Sequence, residues 1–540
     1  MGQNYLLVEG VNLDASINDT DQLSIIRGSS FLYKNLVDEL SHTFRDQLTS
    51  ISTGASAGLF QIAPTASAAK LAQEISNFCN QHPAYQHLSV LIEHCVADNI
   101  LQAKQRLQTQ LRWRQLNALS QVPDKQNQRH PFTAHTVSQL EGVRIAGEGL
   151  TRTLQNSKRA LSLSEQQRWQ EGVKQKRNYY ATIAQDSDPA FAEQLNDFGF
   201  AATLEDLCAC QDYSQLNGKM AVIYSDGNGF GQRQFDYLTQ AIARCEDGVA
   251  AQRRFDDNLQ QQRADFLTTT LRDFVQEKYP HGLDTNDDGQ RIIRLETLLW
   301  GGDEMLFVLP AWLGFEVLQQ FYAKAEQWQL SDGKPLTHAT GIIFCKAKTP
   351  IRIIRHLAER LANRVKDQCS REQSAWDYMV LESVDYPTHT DLDDYFAKRY
   401  TPKLAALRPS GHFIKKDQWP LLKEQLVQLL QFTTAHQLFQ LTEKIQQYGG
   451  AGAYPWQDLS KREDDEKTAP LSEQEIQEQR LLAVMPSQAQ RAQFIELSAS
   501  VAEGLFSLDI QQPAERAWFW LHLMELWNYL DPKAKQEQAL

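Results

Sequence analysis

The sequence predicts an α+β protein with two βαββαβ units, one at the N-terminus and one in the middle, with helical segments between and after them. Three observations carry this. Short apolar runs are bounded by turn residues, longer stretches show helical spacing, and the same order of both recurs twice in the 540-residue chain.

In the first stretch a strand over Tyr5–Val11 precedes a helix from about Asp21 to Phe44. A hairpin turning at Thr53-Gly54-Ala55-Ser56-Ala57-Gly58 follows, then a helix Ala66–Cys79 and a strand Leu88–Cys95. Residues 103–215 read mostly helical, with turns at Pro123 and around Pro131. The second copy begins with a strand Met220–Tyr224 and a long polar helix Gln232–Tyr279. Strands Ile292–Trp300 and Met305–Pro310 flank a turn, and a helix Phe315–Trp328 follows. A strand His338–Cys345, a helix Ile351–Lys366 and a strand Asp377–Glu382 complete a ferredoxin-like sheet with one extra αβ unit. From about Asp417 the pattern is helical again, broken by the turn Gly449-Gly450-Ala451-Gly452 and the charged run from Lys461 to Lys467. The last helix, Glu515–Tyr529, is apolar around most of its circumference and reads as a core helix. The expected domains are therefore 1–115, 116–215, 216–395 and 396–540.

Apolar residues make up 42% of the chain, enough for real cores. No run of about 18 apolar residues occurs, and the start lacks a basic region followed by an apolar one, so neither a membrane span nor a secretory signal is expected. Seven cysteines without framework spacing fit reduced thiols in a cytoplasm. Cys208-Ala209-Cys210 is the one close pair, and no second pair completes a four-ligand zinc site. The net charge of −13 opposes non-specific binding to nucleic-acid backbones. Basic residues beside aromatics could still form a local single-strand groove. The candidates are Arg112-Trp113-Arg114 and Lys158, Arg159, Lys174, Lys176 and Arg177, the last near Tyr179 and Tyr180. A solvated helix face is the simpler account of them.

Two motifs carry chemistry. Asp226 follows the apolar strand and opens the turn Gly227-Asn228-Gly229-Phe230-Gly231, expected to expose the carboxylate at its tip. Its glycines would let a triphosphate approach the backbone, so Gly227, Asn228, Gly229 and Phe230 are candidate nucleotide contacts. Gly301-Gly302-Asp303-Glu304 lies between Leu298-Leu299 and Met305-Leu306-Phe307-Val308-Leu309. Adjacent acids inside an apolar hairpin place uncompensated charge at a sheet end, for which a cation is the natural partner. Carboxylates are hard ligands suited to Mg²⁺ (or Mn²⁺), which leads to nucleotidyl transfer. A third acidic stretch, Asp284-Thr285-Asn286-Asp287-Asp288-Gly289, begins like a calcium loop. Its twelfth position is Leu295, so a polar turn is expected there.

With Ala358-Glu359 and Lys366 downstream, this set resembles the GGDEF/palm superfamily of nucleotide cyclases. The two copies and the Gly-Asn-Gly-Phe-Gly turn are more similar to the large polymerase/cyclase subunit of type III CRISPR effector complexes, or to a stand-alone relative of it. Further likeness lies in the C-terminal helical part, entered through Tyr400-Thr401-Pro402 and Leu407-Arg408-Pro409. The resemblance implies tandem palms, the first degenerate because its turn carries no acid, the second catalytic. It implies Asp226 and Asp303 as catalytic metal ligands and Glu304 as a second or shared one. Gly301 and Gly302 would lie against the nucleotide and Lys366 would meet its phosphates. The implied reaction joins ATP or other NTPs into a signalling nucleotide with release of pyrophosphate, with RNA, effector subunits or a second copy as partners. No His-Asp pair occurs, so DNA cleavage is not expected. A catalytically silent RNA- or nucleotide-binding scaffold is the alternative. A diguanylate cyclase is the rival enzyme, but its inhibitory Arg and Asp would fall at Ile292 and Leu295.

Overall fold

A computed structural model describes residues 2–54, 56–117, 137–154, 157–286, 288–369, 371–382, 386–387, 391–400, 413–414, 419–448, 473–485, 487–530 and 532. The expected turns at Pro123 and Pro131, residues 401–402 and 407–409, the glycine-rich turn and the charged run lie outside these.

The fold is mixed α+β. In the first unit β1 (Gln3–Gly10), α1 (Leu13–Ile17) and α2 (Leu23–Thr43) precede the hairpin β2 (Leu48–Thr53) and β3 (Ala57–Ile62). Then come α3 (Ala68–Gln81), β4 (Val90–Ala97) and α4 (Ile100–Asn117). The strands pair antiparallel in the order β2-β3-β1-β4. Alternate side chains separate the faces. Leu6, Val8, Phe60 and Ile62 pack with α2 and α3, whereas Tyr5, Leu7 and Leu59 pack under Ile100, Ala103, Leu107 and Leu111 of α4.

The connection to the second unit is less helical than expected. It contains a hairpin, β5 (Thr151–Leu154) and β6 (Ser157–Ala160), before α5 (Leu163–Ser187), α6 (Pro189–Gln194), β7 (Gly199–Phe200) and α7 (Leu204–Cys208). These strands are four residues each and mostly polar, too short for a period-2 signal.

The second unit begins with β8 (Lys219–Gly227). The single long helix expected next is two, α8 (Phe230–Ala243) and α9 (Gly248–Val275). Cys245 at φ 59 breaks the helix, and the Asp247 carboxylate caps the restart by accepting from the Val249 N–H. After β9 (Leu283–Thr285) and β10 (Arg291–Ile293) come β11 (Glu296–Gly301), β12 (Glu304–Pro310) and α10 (Ala311–Ala325). Then follow β13 (His338–Lys346), α11 (Ile351–Gln368), β14 (Ala375–Leu381), α12 (Leu392–Tyr400) and β15 (Phe413–Ile414). The six-stranded order is β11-β12-β8-β13-β14-β15, whose first four strands repeat the order of the first sheet. Both hairpins also carry a bulge in their first strand, between Ser50 and Ser52 and between Thr297 and Leu299. The strand expected over Ile292–Trp300 is divided, because β10 pairs with β7 and β9 in a separate sheet. Of the acidic stretch, Asp284 and Thr285 end β9, and the Asn286 side chain accepts the backbone N–H groups of Asp288 and Gln290, as in an ordinary polar turn.

Helices Trp419–Gln431, Ala435–Tyr448, Glu473–Ala483, Gln488–Val501 and Pro513–Leu530 follow. In the last, Trp518, Phe519 and Trp520 are fully buried, so it is a core helix. No described helix is long and apolar enough to cross a membrane.

The two sheets are joined by α2 crossing α5. A Cβ at Gly28 would lie 1.6 Å from the Arg168 carbonyl oxygen, and one at Gly172 would lie 1.7 Å from that of Ser24. This approach lets Arg27 reach across. Its Nε donates to Glu296 Oε1 at 2.9 Å and its Nη1 to the Gly172 carbonyl at 3.0 Å, with both charged side chains 4% exposed. Gly172→Ala should therefore force the helices apart at a cost of about 1–3 kcal/mol or more. We expect a lower Tm and an earlier urea transition; an unchanged Tm would contradict this account of the crossing.

Candidate active site

Strand alternation decides which groups meet at the end of the second sheet. Tyr224 and Asp226 share one face of β8, and Leu306, paired with Tyr224, puts Glu304 on that face of β12. Helix α11 covers the same face, since a Cβ at Gly341, which pairs with Tyr224, would meet the Ala358 carbonyl oxygen at 2.0 Å. Helix α10 covers the other, where Gly314 approaches the Ala221 Cβ. The C-terminal turn of α11 thereby brings Lys366 to Asp226, and the two form an ion pair.

Asp226 is not at an exposed tip. It is the penultimate residue of β8, paired with Ala339, and its side chain is only 16% exposed. The apolar run masks this, because the strand continues for three residues beyond Tyr224.

Gly302-Asp303 is a two-residue turn between the paired Gly301 and Glu304, with Gly302 at φ 54 as mirror-image hairpin turns require. Asp303 folds back over Gly227, where an added Cβ would lie 2.9 Å from Asp303 Oδ2. Burial, and then the nearby Asp226 carboxylate, push the Asp303 carboxyl up to about 7. Glu304 is raised too, by burial and Asp226, while the Tyr224 hydroxyl donating to its Oε1 at 3.1 Å opposes the shift. Glu359 and Arg355 of α11 act on Glu304 with opposite signs. Added Cβ atoms at Gly229, Gly231 and Gly302 would meet nothing within 4 Å, so open space lies beside the carboxylates. Asn228 faces inward instead, donating from Nδ2 to Thr337 Oγ1 and the Gln373 carbonyl, and so fixes the loop. Phe230 begins α8 and packs against Phe255.

The donor set suits a hard cation. It consists of carboxylate oxygens, and the rise that burial and then Asp226 impose on the Asp303 carboxyl is what a bound divalent ion would oppose. The acids are not collapsed on one point. Among the described residues the one group of three metal-ligating side chains mutually within 4.8 Å lies elsewhere, at Cys210, Asp212 and His281.

Arg263 of α9 was not singled out from the sequence. It is 4% exposed, stacks 4.3 Å over the Trp300 ring, and donates to the carbonyls of Gly302 and Glu304, the latter at 3.3 Å. Burial lowers it to about 10, leaving it charged. The available signal was positional: Phe255, Leu259, Arg263 and Phe266 form one helical stripe, and an arginine on an apolar stripe needs a buried partner.

Several of the basic groups considered for a groove are paired within the protein. Arg112 and Arg114 pair with Glu9 and Glu93, and Lys176 with Glu296 and the Ala201 carbonyl. Tyr180 is buried, stacked on Phe200. Lys158 and Arg159 lie on the β6 hairpin strand, and Lys174 pairs with Glu171; the Arg177 side chain lies outside the described residues.

No family model matches the sequence, and no curated protein does. Solved structures are similar at a distance. A crystal structure of Csm1 in T.onnurineus has a TM-score of 0.39 and 14% identity over 89% of this chain and 70% of that one. The apo Csm1–Csm4 cassette gives 0.39 and 13% over 80% and 62%, and the cassette in complex with AMPPNP 0.40 and 14% over 89% and 70%. TM-scores and identities of this size carry no inference about the chemistry of this chain.

A carboxyl with a raised folded pKa holds its proton more tightly folded than unfolded. The contribution of Asp303 is therefore fully present below its ordinary value of 3.8 and lost as pH rises through about 7. Asp303→Asn should raise Tm at pH 8, with the gain vanishing toward pH 4; no gain at pH 8 would refute the crowding. Arg263→Met should speed amide exchange at 301–305 without affecting β1; unchanged exchange would remove its role as a clamp.

Proposed function

We propose that this chain is a Mg²⁺-dependent nucleotidyltransferase that joins ATP or other NTPs into a signalling nucleotide with release of pyrophosphate. In this reading it is a nucleotide cyclase or oligonucleotide synthetase of CRISPR-type antiviral defence, with a degenerate first palm and a catalytic second one. The observation that carries it is the convergence of Asp226, Asp303, Glu304 and Lys366 at one sheet end beside glycines with open space. The repeated strand order supports the tandem arrangement.

Asp226 and Asp303 would hold the cation, with Glu304 as second or shared ligand. Bound Mg²⁺ would neutralise these carboxylates and stabilise charge on the attacking and leaving oxygens. The chain's own part is positioning. Gly229, Gly231 and Gly302 leave room for a triphosphate against the backbone, and Arg263 holds the second turn by two carbonyls. Lys366 can exchange the Asp226 carboxylate for a phosphate oxygen. A ribose hydroxyl held there would attack the α-phosphate of the second nucleotide.

The scaffold alternative has one observation in its favour: Lys366 already compensates Asp226 from within the protein. Incubation with labelled NTPs and Mg²⁺ or Mn²⁺, with and without RNA, separates the two. We expect product from the wild type and a loss of roughly 100-fold or more in Asp303→Ala, the scale for removing a group that stabilises transition-state charge. Equal product from the variant would sink the catalytic reading, and tight RNA binding without turnover would establish the scaffold.

A further inference from the structure

Cys210 and Asp212 lie between α7 and β8, next to the start of the strand whose other end carries Asp226. At 3.3 Å per residue that is on the order of 20 Å from the carboxylates. His281 comes from the turn after α9. The ligand atoms of the three lie mutually within 4.8 Å, with His281 Nδ1 3.6 Å from Asp212 Oδ2.

Contacts outside the trio hold both segments in place. The Cys210 N–H donates to Asn217 Oδ1 at 2.9 Å, and the Tyr213 N–H to the Cys210 carbonyl at 3.2 Å. The Tyr213 ring stacks on Trp312 at 4.9 Å and meets the His281 ring edge-on at 5.3 Å. His281 itself sits at φ 51, a left-handed conformation uncommon for a non-glycine residue. Arg294, 4% exposed, ties the segments together: its side chain donates to the Leu207 carbonyl at 3.0 Å and its N–H to the Gly282 carbonyl at 3.0 Å.

The donor chemistry is specific. A thiolate, an imidazole and a carboxylate suit zinc, whereas Mg²⁺ does not take sulfur. Tetrahedral zinc with ordinary bond lengths places its ligand atoms roughly 3.3–3.6 Å apart, so the imidazole–carboxylate separation already fits, and the thiolate, within 4.8 Å of both, would have to close in by no more than about 1.5 Å. The cysteine pair of the sequence divides accordingly. Cys208 is buried in the core, its thiol pushed up by burial, while Cys210 is half-buried at the trio. We infer that Cys210, Asp212 and His281 form a zinc site with water as fourth ligand, clamping the segment before β8 to the turn after α9. Binding would release the thiol proton to solvent.

The test uses the full chain, stripped with a chelator and then titrated with Zn²⁺ against a chromophoric competitor, and separately with Co²⁺. We expect one Zn²⁺ per chain, a cobalt–thiolate absorption band and a zinc-dependent rise in Tm. Cys210→Ser should abolish the band and His281→Ala should weaken zinc binding tenfold or more, while Cys245→Ser, at an exposed cysteine, should change neither. Absence of the band in the wild type, or undiminished zinc binding in the Cys210→Ser/His281→Ala double variant, would overturn the site. Neither readout depends on nucleotide turnover.

Discussion

Like charges crowded at the end of a sheet are the constraint around which the second unit is arranged. Asp226, Asp303 and Glu304 cannot all ionise in a partly desolvated place without compensation. Each neighbouring element supplies some of it: α11 brings Lys366 and Arg355, β8 offers the Tyr224 hydroxyl, and α9 sends in Arg263. These groups come from three distant parts of the sequence, so the site exists only when sheet and helices are assembled. The conflict remains incomplete in its resolution, as the raised Asp303 shows.

Much of this was legible in the sequence because it is local. Acids flanked by apolar strands, glycines at the turns and a lysine at the end of an amphipathic helix are patterns a few residues long; Asp226, Asp303, Glu304 and Lys366 come to one sheet end, whereas Asn228 and Phe230 turn into the protein. What could not be read depends on partners far away. Arg263 belongs to no motif, and its meaning lies in carbonyls about forty residues downstream. His281 has no cysteine near it in sequence, so the pairing with Cys210 was invisible. The partners of the basic residues were distant too: Arg112 and Arg114 meet Glu9 and Glu93 only in the fold. The break between α8 and α9 was present as Asp247-Gly248, a cap followed by a helix start, within a segment whose polar composition hid it.

The first sheet is an internal comparison. It has the same strand order and the same bulge in its hairpin, but its turn carries glycine, serine and alanine and no acid. Architecture and charge are thus separable: the hairpin does not need carboxylates to form, and the raised Asp303 and Glu304 carboxyls of the second copy have no counterpart in the turn of the first.

The ion pair between Arg27 and Glu296 bears on modularity. Its members are 269 positions apart, both are buried, and Glu296 opens the strand that ends at the Gly-Gly turn. A fragment beginning at residue 216 would retain every acid of the site and lose the guanidinium that neutralises the root of its hairpin. An unpaired buried charge is among the most destabilising defects a fold can carry. The two sheets, expected from sequence in separate domains, are thus tied by a buried charge pair that each side needs in order to stay compensated.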